Sequence, residues 1–104
     1  MKELEIYIGK NNKNYILFLR FLGKTMQKKQ INHLDRLLRE IKNFYDASKF
    51  DCYSIKPLKD TNFSPEITPI GTKEFGNLKG ILNRSLEGCV LLSNSYSITE
   101  GIPD

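Results

Sequence analysis

The sequence predicts an α+β fold, a single domain of two layers, and three features of its 104 residues carry that reading. The N-terminus alternates apolar with polar residues at the period of a strand. The middle of the chain switches to a helical period, and the remainder consists of short apolar runs divided by Gly, Pro and Asn. The length suits one hydrophobic core and is too short for two. Residues 1–98 are therefore read as one domain and 99–104 as a C-terminal tail.

Leu4, Ile6 and Ile8 alternate with Glu5 and Tyr7, which predicts a strand with one buried face. Gly9 to Asn14 forms a turn, because Gly and Asn tolerate the positive φ values a hairpin needs. Tyr15 to Leu22 is the returning strand. Tyr15, Leu17, Leu19 and Phe21 lie on one of its faces, Ile16, Phe18 and Leu22 on the other, interrupted by Arg20. A strand apolar on both sides is either covered on both sides or uses one side for interaction. The first set is accordingly the apolar interface candidate, open to a partner or to a second copy of the chain.

From Met26 to about Ala47 the expectation is one long amphipathic helix. Ile31, Leu34, Leu38, Ile41 and Tyr45 form its apolar stripe, Leu37 and Phe44 broaden it, and Thr25 stands as its N-cap. The pairs Asp35 with Arg39, Arg36 with Glu40 and Lys42 with Asp46 follow at i, i+4. Asp51 to Pro57 reads as a strand and Lys59 to Pro65 as a loop. Ile67 to Thr72 reads as a short strand that Pro69 confines to an edge. Asn77 caps a second, short helix lined by Leu78, Ile81, Leu82 and Leu86 and ended by Gly88, and Cys89 to Ser97 gives a last strand.

The resulting order is β-β-α-β-(β)-α-β, with the long helix packed on a mixed or antiparallel sheet. In topology this order resembles the β-grasp arrangement, in which a hairpin, one long helix and further strands form a sheet with the helix across one face. That resemblance implies an open second sheet face and assigns no function.

Charge is the strongest functional signal. Between Ile6 and Leu34 no Asp or Glu occurs, whereas Lys10, Lys13, Arg20, Lys24, Lys28 and Lys29 do, and the formal net charge is +4. Such a segment attracts phosphates or an acidic protein surface. With the helix beginning at Met26, Lys28 and Lys29 would oppose the macrodipole in its first turn. Together with Lys24, and with Lys10 and Lys13 in the hairpin turn, they would form an anion site. Arg36 and Arg39 extend the basic surface along the outer helix face.

Sharper signatures are missing. Gly23-Lys24-Thr25 follows an apolar strand as the end of a P-loop does, but the glycine required five residues earlier is Phe18. His33, the single histidine, is read as a surface residue, and Cys52 and Cys89 as structural thiols without metal or redox spacing. No metal or cofactor is expected. No secretory leader or membrane-length apolar run is read, so the expected compartment is the cytoplasm. The sequence therefore points away from an enzyme and towards a small macromolecule-binding protein of inhibitor, immunity or adaptor type. Its expected partner is another protein, with an acidic surface as the match to its charge. The alternative is a nucleic-acid-binding protein using residues 10–29 and the helix face.

Overall fold

A computed structural model describes residues 1–86 and 96–102 and the backbone of 90–91. Strands β1 (Glu3–Asn11), β2 (Asn14–Phe21) and β3 (Lys24–Ile31) form an antiparallel meander. Helix α1 (Leu34–Ala47) then crosses to β4 (Cys52–Lys59), which pairs parallel to β1, so the sheet is mixed. The short β5 (Thr68–Pro69) takes up the end of β1 where β4 leaves it. Helix α2 (Thr72–Ser85) follows, and β6 (Val90–Leu91) and β7 (Thr99–Glu100) both pair with β4. The main strand order is β3-β2-β1-β4-β6. No described helix is long and apolar enough to cross a membrane.

Both helices cover one face of this sheet. Leu37, Ile41 and Tyr45 of α1 and Phe75, Leu78 and Leu82 of α2 pack against Leu4, Ile6 and Ile8 of β1, Leu17 and Leu19 of β2, and Tyr53 and Ile55 of β4. The opposite face holds a smaller cluster of Ile16, Phe18, Leu58 and Ile67, with Tyr7 and Ile102 at its margin. An antiparallel bridge between Asp60 and Ile67 closes the 61–66 loop on that side. Gly9 gives Ile67 its seat: a Cβ there would lie 2.3 Å from Ile67 Cγ2 and 2.7 Å from the Leu58 carbonyl oxygen.

Several expectations need correction. Residues 24–31 are a strand, so the helix begins at Leu34 and its N-cap is His33, not Thr25. Lys and Gln favour helices intrinsically, but pairing with β2 overrides that preference, and exposure along β3 alternates with period two. This extra strand departs from the β-grasp order. The buried stripe of α1 runs through Leu37, Ile41 and Tyr45, whereas Leu34 is exposed and Leu38 only half-buried. Helix α2 starts at Thr72 rather than Asn77 and equals α1 in length, at 14 residues each. Of the strand expected over 89–97, Val90 and Leu91 are paired and residues 89 and 92–95 lie outside the described residues, as does Gly88. Thr99 and Glu100, read as tail, pair with Leu58 and Lys59.

Candidate functional site

The basic segment is dispersed by the geometry of its strands. Successive side chains on a strand point to opposite faces, so Lys28 and Lys29 diverge. Lys29, on the helix side, donates a 2.7 Å hydrogen bond to Glu40 Oε2 on α1, and this bond holds the Glu40 carboxyl below its usual range. Lys28, on the opposite side, places its Nζ 5.5 Å from the ring centre of Phe18 and 4.1 Å from that of Phe63. The helix-start anion site foreseen for Lys24, Lys28 and Lys29 therefore does not form: none of the three lies on α1, whose first turn carries Asp35.

The remaining cations are no closer to one another. Lys10 pairs with Glu74 of α2 at 3.2 Å and lies 5.3 Å from the Tyr15 ring centre. The Tyr15 hydroxyl donates to the other Glu74 oxygen at 2.7 Å. Burial, reinforced by this hydrogen bond and the Glu74 charge, pushes the Tyr15 phenol up to about 12. Lys13 and Lys24 are exposed at the two ends of β2, one beside each turn. Arg36 and Arg39 are exposed on α1, beside His33 and Asp35. Arg20, counted with the basic segment, is buried beneath the second turn. Its Nη1 donates to Thr25 Oγ1 at 2.7 Å and its Nη2 to the Gly23 carbonyl at 2.6 Å.

The apolar interface candidates belong to the monomer's interior. Leu17 and Leu19 have no exposed area, and Tyr15 and Phe21 pack at the margin of the same core, because the two helices cover that face. The other side of β2 is buried as well: Ile16, Phe18 and Arg20 each retain 4% exposure.

What the fold does expose is the tip of the β2–β3 hairpin. Leu22 and Gly23 connect the strands with φ values of 50° and 76°, the positive pair that a type I′ turn requires. Leu22 is 80% exposed, and Met26, at the bulge where the β2–β3 register shifts, is 53% exposed. Lys24 stands between them. A leucine in the left-handed region is disfavoured by contact between its Cβ and the backbone, where Gly or Asn would fit freely. The arginine beneath the turn holds this conformation in place. Sequence reasoning assigned Leu22 to a strand and Met26 to a helix. The available signal was the two-residue spacing of Leu22-Gly23 between Phe21 and Lys24, which matches a tight hairpin.

Fold and surface together define a mixed-sheet α+β protein with helices on one face and an apolar, cationic hairpin tip. Neither a protein-family model nor a curated protein sequence matches the chain.

Proposed function

We propose that this is a small protein-binding protein, of inhibitor, immunity or adaptor type, that docks through the tip of its β2–β3 hairpin. One observation carries the reading: Leu22 is exposed and held at positive φ. A residue kept in a costly backbone conformation, with its apolar side chain in water, is accounted for by a use outside the monomer. Met26 adds apolar area beside it and Lys24 adds a charge, so the matching partner has an apolar recess with an acidic rim. Nucleic acid is the weaker alternative. Lys10 and Lys29 are each neutralised by a glutamate and the other cations are spread over both faces, which leaves no continuous track for a phosphate backbone.

The test is site-specific photo-crosslinking in the native host, with the reactive group at Leu22 and, as control, at the exposed Asn83 of α2. A protein captured from Leu22 alone is expected. Its affinity for Leu22→Asn should then fall about 10- to 100-fold, the worth of one well-buried leucine at an interface. Equal capture from both positions, or unchanged affinity of Leu22→Asn for the captured protein, would overturn the proposal.

A further inference from the structure

The underside of the sheet carries a cavity of about 390 Å³ that the docking reading does not use. Ile16 and Ile67 form its floor, Phe63 and Pro65 its wall, and Lys28 and Gln30 its rim. The volume lies within the range of small-molecule sites, about 300–1,000 Å³. The floor is fixed. Ile67 is bridged to Asp60 through both backbone hydrogen bonds and sits in the space that Gly9 leaves open. The Asp60 carboxylate, itself buried, accepts the Asn62 N–H at 2.9 Å and so shapes the start of the loop that carries Phe63.

Two side chains at this cavity are unusual for a surface. Phe63 remains 36% exposed at the top of the loop, with its edge-on partner Phe18 at 6.4 Å. Lys28 stands over both rings, and among the described residues no carboxylate lies within 4.0 Å of its Nζ. Of the other strand lysines, Lys10 and Lys29 each have one. An ammonium held by ring faces is partly desolvated and keeps hydrogen-bond donors for an incoming anion. The cavity thus joins an apolar floor, an aromatic wall and two lysines, of which Lys29 is paired with Glu40 and Lys28 has no carboxylate partner among the described residues.

We infer that this cavity is a binding site for a small amphipathic carboxylate, an aromatic or branched acid whose apolar body lies on Ile16, Ile67 and Phe63 and whose carboxylate meets Lys28. A carboxylate suits a lone ammonium and the Gln30 amide beside it. A polyphosphate would need more cations than the rim offers.

The experiment titrates 3-phenylpropionate into the nitrogen-15-labelled full chain and follows amide shifts, with 3-phenylpropan-1-ol as the neutral counterpart. Saturable shifts centred on Ile16, Lys28, Gln30, Phe63 and Ile67 are expected, with a Kd of about 1 mM for a ligand of this size. The alcohol should bind roughly fivefold more weakly, since it lacks the charge-assisted bond to Lys28. Lys28→Met, at an exposed position, should erase the difference between acid and alcohol while leaving the alcohol's affinity unchanged. Absence of saturation at about 20 mM, equal binding of acid and alcohol to the parent chain, or shifts centred instead on His33, Arg36 and Arg39 would each overturn the inference.

Discussion

Strand β2 belongs to two hairpins, and each turn begins on a residue at positive φ, of a different kind in each. Between β1 and β2 the positive φ, 58°, falls on Asn12, whose short polar side chain tolerates it. Between β2 and β3 it falls on Leu22, which tolerates it poorly and gains no burial in return. Their supports differ as well. The first hairpin is latched to α2 through Lys10, Tyr15 and Glu74, while the second is pinned through Arg20 to its own turn. The first is thus built for the monomer. The second accepts local strain to present a side chain outward, which is the physical basis for placing the docking surface there.

The severest way to break this comparison is to remove what the hairpins share. Leu19 is fully buried in β2 beneath the helices, so Leu19→Ala should cost about 2–5 kcal/mol through lost transfer energy and the cavity left behind. Urea unfolding followed by amide exchange should show both hairpins weakened together. Loss of protection in one of them alone would mean that β2 does not couple the two.

An exchange of turn residues sharpens the comparison further. Leu22→Asn should stabilise the chain by about 0.5–1 kcal/mol, because asparagine relieves the left-handed strain, and Asn12→Leu should destabilise it by a similar amount. Urea midpoints of the two variants should therefore shift in opposite directions. Paired with the loss of binding expected for Leu22→Asn, a gain in stability would mark Leu22 as a residue kept for function. A loss of stability in that variant would instead mean that the leucine supports the fold.

The smallest expected effect lies at the latch of the first hairpin. Removing the hydrogen bond by Tyr15→Phe should cost a few tenths to about 1 kcal/mol at neutral pH, since the pair is only partly buried. Tyr15 ionises with more difficulty in the folded chain, at about 12 against an ordinary 10.0. Its contribution is therefore fully present below pH 10 and is lost as the pH rises through about 12. The stability difference between the parent chain and Tyr15→Phe should shrink over that interval. A difference independent of pH there would exclude the Tyr15–Glu74 bond as its source.

Much of the fold was legible because its elements carry their own periodicity. Leu4, Ile6 and Ile8 declare β1, and the helical period through Ile41 and Tyr45 declares α1, since burial on one side imposes the pattern locally. The buried stripe of α1 nevertheless runs through Leu37 rather than the expected Leu34 and Leu38. β3 was not legible. Of its eight residues only Ile31 is buried, and its lysines and glutamines carry helical propensity. That single reassignment moved Lys24, Lys28 and Lys29 from a helix start to a strand and dissolved the anion site built on them. The surfaces proposed in its place were hidden for a related reason: Leu22 reads as the end of an apolar strand and Phe63 as one residue of a loop, and the exposure of both follows from where the turn and the loop are placed.

Hydrophobic period and composition are local properties, and they sufficed for the class of fold, the positions of β1, β2 and β4 near their observed bounds, the C-terminal end of α1 and the excess of positive charge. Long-range packing settles which charges are neutralised, which aromatic residues are covered and that both faces of β2 are buried. Pairing register sends Lys28 and Lys29 to opposite sides of the sheet, and the helices and the 61–66 loop then settle what each side meets. A charge or an apolar side chain acquires a role only when long-range contacts fix its neighbours, and those contacts join residues that the linear order keeps apart.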